Sequence, residues 1–356
     1  MKKIVLRIIN ILKSIKFSFK SHRKLSLPRD PEFIIESERP TCSFDYCFEP
    51  NNESSNITLT IGITTFNSSK WIQNTIATIK NQPFRESVEV VFVDNASTDD
   101  TVDIIKELVK DLKFPYKIIV NENNGMAGFS RTKVIENSNG RFVLFVDGDD
   151  GLNNGSIDRI LSIIKQEPDL DLIQLGPISF PKKDVVITNY KQLYSLGGMP
   201  GGKVINRLTW SDLCFPINCN FEDTVFPLGY YFRVRSAYIS STNDYWIRPV
   251  NPESLSRKKS PSFLDHVRVV MYLYDKLQVK NEFTYCLLLR HFGMIAYERL
   301  KSFDMNVQLA AFAIMRLYVI NNMVVCKKMP RKYKMLESSF VKGNYYHWVA
   351  TIYRYF

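Results

Sequence analysis

The sequence predicts an α/β fold with a mostly parallel central sheet, followed by a helical C-terminal region. Two observations predict the sheet. The runs "VEVVFVD" (88–94) and "RFVLFVD" (141–147) are almost wholly apolar, and segments with helical spacing stand between the β-rich runs. Strands apolar on both faces belong to parallel sheets covered by helices on both sides. The helical end is predicted by segments such as "FLDHVRVVMYLYDKLQ", "FTYCLLLRHFGMIAYERL" and "VQLAAFAIMRLYVINNM" beyond residue 264.

The chain opens on "MKKIVLRIINILKSIKFSFK", where Ile4, Ile8, Ile11, Ile15 and Phe19 recur at three- or four-residue spacing among basic residues. This is a basic amphipathic helix within 1–24, suited either to an anionic membrane surface or to packing within the protein. A secretory signal is not expected, because Arg7 interrupts the apolar run and no small-residue cleavage site follows. Residues 25–56, punctuated by Pro28, Pro31, Pro40 and Pro50, read as a linker or covering segment. The α/β domain is expected over 57–264. Its first strand is "ITLTIGITTF" (57–66), followed by a helix at "WIQNTIATIKNQ" (71–82) and the second strand at 88–94. "TDDTVDIIKELVKDL" (98–112) is a helix with an acidic first turn. "YKIIVNEN" (116–123) is the third strand, "MAGFSRTKVIENS" (126–138) a helix, and 141–147 the fourth strand. Helices fill 265–356, and the closing stretch, rich in Lys, Arg, Tyr and Trp, suits a membrane interface, a helical cap or an oligomer contact.

The net charge of +11 is concentrated at the start: residues 1–24 hold eight basic side chains and no acid, which leaves +3 for the rest. A nucleic-acid binder, whose basic patch lies on its folded domain, is thereby disfavoured. The longest charge-free stretch, Ser54 to Ser69, is largely polar and does not make a membrane span. Cys42/Cys47 and Cys214/Cys219 have a spacing that zinc tolerates, but no histidine stands near either pair, and buried thiols are expected.

Ligands of open parallel sheets sit beyond the carboxyl ends of the strands, where strand order reverses. The acids fall there. Asp94 ends the second strand, Asp147 and Asp149 follow the fourth, and Thr65-Phe66-Asn67 follow the first. One Asp-Gly pair alone would ordinarily be a turn, but three strand ends converging on one crevice point to a binding site. The first strand leads into "TTFNSSKW" rather than G-x-G-x-x-G, so no backbone cradle awaits a pyrophosphate. A hard divalent cation, Mn2+ or Mg2+, held on one or two carboxylates does that work instead, and "DGDD" (147–150) supplies them.

Five segments in order resemble the inverting GT-A glycosyltransferases of family 2. They are "IGITTFNSSKWI", "VEVVFVDNASTDDT", "NENNGMAGFSRTKVIENSNGRFVLFVDGDD", "FEDTVF" (221–226) and "YWIRPVNPESLSRK" (245–258). The resemblance implies a GT-A, Rossmann-like nucleotide-diphospho-sugar transferase fold over 57–264. It also implies transfer of a sugar from a nucleotide diphosphate, a UDP-sugar in the first instance, to a hydroxyl of a saccharide or lipid-linked acceptor in bacterial surface polysaccharide or glycolipid synthesis. Carried over residue by residue, it implies that Thr65 and Phe66 line the base pocket, with Phe66 stacking, and that Asp94 accepts from the ring N–H of the base. Gly128 and Arg131 would lie near the nucleotide, with Arg131 alternatively pairing with Asp147. Asp147 would contact ribose or cation-bound water, and Asp149 would ligate the cation. Asp150 either joins them or caps the following helix. Asp223 would deprotonate the acceptor hydroxyl, with Glu222 positioning it, although two acids at a helix N-terminus look the same in sequence. The glycine-rich "SLGGMPGGKVINR" (195–207) fits an acceptor-side loop backed by Lys203 and Arg207. Ser254, Arg257 and Lys258 fit diphosphate contacts, and His266 reads as structural.

These readings describe a cytosolic enzyme at the inner face of the cell membrane. Its partners would be a nucleotide-sugar donor, the acceptor, an anionic membrane surface and further copies bound through the C-terminal helices, with no nucleic acid. The competing reading is a noncatalytic nucleotide-sugar-binding or assembly module of the same fold. The presence of Asp94, Asp147, Asp149 and Asp223 together argues against it. A nucleotidyltransferase would open on a glycine-rich basic loop, which Thr64 to Lys70 does not provide.

Overall fold

The computed structural model describes residues 2–22, 25–40, 44, 55–176, 181–248 and 260–356. The chain forms two compact units, Met1–Thr41 with Ser256–Phe356, and Cys42–Leu255. The N-terminal 41 residues thus fall in one unit with the C-terminal helices.

In the first unit, helix α1 (Lys2–Lys20) lies along the C-terminal helix Tyr345–Tyr355. The contact is polar and aromatic: Ser14 Oγ donates to the Ala350 carbonyl at 3.0 Å, and Phe17 stacks on Tyr353 with centroids 5.9 Å apart. Ile11, Leu12, Ile15 and Phe19 of α1 remain exposed. The stretch expected as a linker or covering segment contains helix α2 (Pro31–Glu38), and two residues explain why. Asp30 caps it by accepting from the Phe33 N–H, and Pro31 occupies the first helical turn, where a missing N–H costs nothing. Arg39, which ends this helix, pairs with Asp265 through two nitrogens at 2.9 and 3.1 Å. The core of this unit is aromatic, with Phe312, Phe340, Tyr345 and Trp348 in mutual ring contact. His266 is buried here against His291, consistent with a structural role.

The second unit carries the sheet. Its strands are β1 (Leu59–Thr65), β2 (Val88–Asp94), β3 (Tyr116–Val120), β4 (Phe142–Asp147), β5 (Gly151–Leu152), β6 (Leu172–Gln174), β7 (Val185–Ile187), β8 (Lys203–Asn206), β9 (Ala237–Ile239) and β10 (Tyr245–Trp246). Among the described residues the main sheet has eight strands in the order β3-β2-β1-β4-β8-β6-β9-β7, and β10 pairs with β5 apart from it. The first four are mutually parallel, while β8 runs antiparallel to β4 and to β6. Helices α3 (Ile72–Lys80), α4 (Thr101–Leu108) and α5 (Met126–Asn137) fall within the expected segments, and a further helix, α6 (Ser156–Gln166), follows β5. Ile61, Ile63, Val90, Phe92, Leu144 and Val146 of the strands form one core with Ile72, Ile76, Ile105 and Ile160 of the helices. Close packing of α5 depends on Gly62, where a Cβ would stand 2.1 Å from the Val134 methyl.

Strand register brings the polar side chains together. β1 pairs with β2 so that Thr65 stands opposite Asp94, and with β4 so that Thr64 stands opposite Asp147. Strand order reverses at β1, so the three carboxyl ends open on one cleft, the position where such sheets take ligands.

Candidate active site

The cleft is built first from backbone strain. Asn67, Ala96, Met126, Asn218 and Phe221 hold positive φ angles of 49°, 61°, 64°, 57° and 70°; Met126 is the first residue of α5 and the other four lie in connecting segments. Non-glycine residues in that region cost energy and cluster at functional sites. The loops are tied together by side chains. The Asn67 N–H donates to Ser97 Oγ, the Thr98 N–H donates to Asn67 Oδ1, and the Ser69 and Thr101 N–H groups donate to Asp99. Polar turn composition is the sequence signal for these residues, and it does not distinguish a site from a surface loop.

Just past the end of β1, Phe66 is 44% exposed. Asp94 is buried. It accepts from Thr65 Oγ1 at 2.9 Å, from the Ser97 N–H at 2.8 Å and from Ser97 Oγ. A carboxylate offers about four lone-pair positions, so one remains, on Oδ2.

At the centre stands Arg131. This buried guanidinium donates to Asp147 Oδ1 at 2.9 Å and to Glu222 Oε1, and so joins the end of β4 to the segment that carries Asp223. Burial works against its charge, but Asp147 and Glu222 outweigh burial and hold it protonated. Burial pushes the Glu222 carboxyl above its ordinary range, and Arg131 opposes that push. Gly128, one turn earlier on α5, lets the helix approach: a Cβ there would sit 2.0 Å from the Pro216 carbonyl oxygen and 3.1 Å from Glu222 Cβ. The sequence reading of Arg131 as a partner for Asp147 matches this geometry, and the link to Glu222 is new.

The "DGDD" carboxylates have separate surroundings. Asp147 is one-third exposed and contacts Arg131. Asp149 pairs with Arg248 at 2.9 Å. Asp150 is turned inward, accepting from the Tyr245 hydroxyl at 2.6 Å and the Arg248 N–H at 3.0 Å. Burial, with Asp147 adding to it, pushes its carboxyl up to about 7. Asp150 thus anchors β10 rather than capping a helix. Arg248 escapes a reading of the sequence, because nothing in "YWIRP" marks which acid it meets.

The glycine-rich loop folds over Asp223. A Cβ at Gly198 would lie 2.6 Å from the Asp223 carbonyl oxygen and 3.1 Å from its Oδ2. The Tyr231 hydroxyl donates to the Gly197 carbonyl and steadies the loop. Lys203 is fully buried, with Nζ donating to the Met199 carbonyl and lying 5.2 Å from the Phe226 ring centroid. Burial brings its ammonium down to about 7, against the attraction of Asp223. This places Lys203 beneath the loop, where a lysine on a four-residue strand has turned inward instead of toward an acceptor. Arg207 is also largely buried, and its Nε donates to the Gly140 carbonyl at 3.0 Å. Ser254, Arg257 and Lys258 lie outside the described residues, as do Cys42 and Cys47, while Cys219 is buried.

The donor set fits a hard cation of limited protein ligation. Among the described residues no group of three or more His, Cys, Asp or Glu side chains forms a closed cage. Asp147 and Asp149, two carboxylates of one turn, would be the ones offered to Mg2+ or Mn2+, which takes one or two when phosphate oxygens complete its shell.

With this geometry in place, the sequence pattern described as glycosyl transferase family 2 matches residues 60–217. This segment belongs to glycosyltransferase family 2. The chain is 27% identical over 201 residues to a poly(ribitol-phosphate) beta-glucosyltransferase of Bacillus spizizenii, covering 53% of this chain and 32% of that protein. It is 28% identical over 200 residues to the poly(ribitol-phosphate) beta-N-acetylglucosaminyltransferase TarS of Staphylococcus aureus, covering 52% of this chain and 34% of that one. The match therefore spans about a third of the length of these relatives. The crystal structure of S. aureus TarS 1–349 in complex with UDP-GlcNAc superposes with a TM-score of 0.59 at 20% identity, over 82% of this chain and 93% of that one. The fold of the family 2 domain is GT-A.

Proposed function

We propose that the protein is an inverting glycosyltransferase that moves a sugar from a nucleotide diphosphate to a hydroxyl of a saccharide or lipid-linked acceptor in surface polysaccharide or glycolipid synthesis. The relatives' names, which place them in poly(ribitol-phosphate) glycosylation, support this substrate class. The reading is carried by Arg131, which links Asp147 at the nucleotide end of the cleft to Glu222, the neighbour of Asp223. Phe66 stacks on the base, for which UDP is the favoured nucleotide, and the remaining Asp94 lone pair accepts from its ring N–H. Asp223 takes the proton from the acceptor hydroxyl as that oxygen attacks the anomeric carbon from the face opposite the leaving diphosphate. Glu222, clamped by Arg131, fixes where Asp223 stands, and the loop at Gly197–Gly198 shields it from water. Asp149 and Asp147 would hold a divalent cation, which would supply positive charge to the departing diphosphate.

A peripheral seat on the inner face of the membrane is part of the proposal. Exposed Leu12, Ile15 and Phe19 on α1, with exposed Lys13, Lys16 and Lys20 beside them, form the amphipathic surface that anionic bilayers attract. Among the described residues no helix is long and apolar enough to cross a membrane.

The test is calorimetric titration of UDP and GDP, with Mn2+ and with chelator, on the wild type and Asp223→Asn. The expected result is a cation-dependent preference for UDP in both proteins, and turnover of UDP-sugars in the wild type alone. Turnover by Asp223→Asn near the wild-type rate would remove Asp223 as the base. Failure of both nucleotides to bind would leave the noncatalytic module as the better account.

A further inference from the structure

Asp149, the carboxylate assigned to the cation, already has a positive partner. Arg248 Nη2 lies 2.9 Å from Asp149 Oδ2, and its guanidinium rests 3.6 Å from the centre of the Trp71 ring. The residue is delivered by β10, whose pairing with β5 sets Trp246 opposite Gly151, immediately after the "DGDD" turn. Its own N–H is held by Asp150 Oδ1 at 3.0 Å. The side chain is largely buried, whereas that of Asp149 keeps 29% of its surface exposed.

We infer that Arg248 is a built-in counter-ion, which occupies the cation's place on Asp149 until a divalent cation exchanges with it. The inference rests on the proposed role of Asp149 as a cation ligand. Two features of the geometry favour exchange over a fixed structural clamp. First, a guanidinium hydrogen-bonded to Oδ2 and a dication bonded to the same oxygen exclude each other by charge and by space. Second, Arg248 has a seat that does not depend on Asp149. Its backbone is pinned by Asp150, and its guanidinium faces Trp71, a favourable surface for a cation. The ion pair can therefore open without unfolding β10. Arg248 offsets the charge of Asp149, and a cation arriving alone must compete with an arginine fixed beside its ligand. A cation arriving with a diphosphate brings extra negative charge that favours the exchange. The structure thus biases the site toward cation and nucleotide entering together.

The experiment measures Mg2+ binding to the full chain by calorimetry, for the wild type, Arg248→Met and Asp149→Asn, with and without UDP. Tryptophan emission is followed in parallel, with Trp71→Phe identifying the Trp71 contribution. Mg2+ is used because it does not quench fluorescence paramagnetically. Without UDP, Arg248→Met should bind Mg2+ about tenfold more tightly than the wild type, the effect of removing one charge-assisted hydrogen bond from the ligand. Addition of Mg2+ should change Trp71 emission in the wild type and leave Arg248→Met unchanged. Equal Mg2+ affinity in wild type and Arg248→Met would overturn the exchange, as would Asp149-dependent binding with no response from Trp71. Absence of Asp149-dependent Mg2+ binding in every protein, UDP included, would remove the cation reading itself and this inference with it.

Discussion

Gly128→Ala separates the geometry of the catalytic cleft from the stability of the fold. The added methyl would begin 2.0 Å from the Pro216 carbonyl oxygen. Carbon and carbonyl oxygen settle at about 3.3 Å, so α5 or the 216–222 segment must yield by roughly 1.3 Å. The obstacle is backbone, which cannot rotate aside as a side-chain tip does. Overpacking of this kind costs about 1–3 kcal/mol, and alanine in a helix returns about 1 kcal/mol relative to glycine, so the net loss of stability should be no more than about 2 kcal/mol. Activity has no such offset. The displaced segment carries Glu222 and Asp223, and a shift of about 1 Å at reacting groups costs on the order of a hundredfold in rate. The expected signature is a kcat, read as UDP released from donor in the presence of acceptor, about a hundredfold lower, with UDP affinity close to wild type and an unfolding free energy lowered by no more than about 2 kcal/mol. Gly62→Ala is the control: its methyl would overpack the Val134 side chain in the core, lowering stability while sparing kcat of the folded protein. A Gly128→Ala enzyme within about threefold of the wild-type kcat would refute the argument that this close approach sets the base.

Other perturbations read other parts of the site. Arg131→Met leaves the largely buried Glu222 without its counter-charge and should cost about 3–5 kcal/mol in urea unfolding; a loss below about 1 kcal/mol would mean the bridge is dispensable. Lys203→Met should show a pH signature. Burial holds the folded-state ammonium near about 7 while the unfolded chain keeps its proton to about 10.5, so the unfolded state binds more protons between those values and wild-type stability rises with pH across that window. The stability advantage of Lys203→Met should therefore be largest at pH 7 and below and shrink toward pH 10, and parallel stability curves for the two proteins would contradict the burial argument. Replacing Ile15 and Phe19 by Glu should reduce cosedimentation with vesicles of phosphatidylcholine and phosphatidylglycerol while leaving UDP binding intact; undiminished cosedimentation would locate the membrane contact elsewhere.

The parts legible in the sequence are those that local pattern dictates. β1, β2 and β4 announce themselves, β2 and β4 as apolar runs buried on both faces and β1 as a β-rich run, and their register then brings Thr65, Asp94 and Asp147 to one end. The short strands β6 to β10, of two to four residues, carry too few positions to show a period, and the inward face of Lys203 on β8 is hidden for that reason. Pro31 reads as punctuation, whereas in the fold it begins a helix, because proline marks both loops and first helical turns. The asymmetry at the site goes deeper. Its acids, Asp147, Asp149, Glu222 and Asp223, stand in short clusters that attract notice in any single sequence. The arginines that set their charge do not. Arg131 meets Glu222 from 91 residues away, and Arg248 meets Asp149 from 99. Each pairing is decided by where a helix or a two-residue strand is laid against the sheet. Substituting such an arginine should leave every recognisable motif intact and still alter proton transfer or cation entry, so the two guanidiniums are where the function of this cleft is most sensitive to the fold.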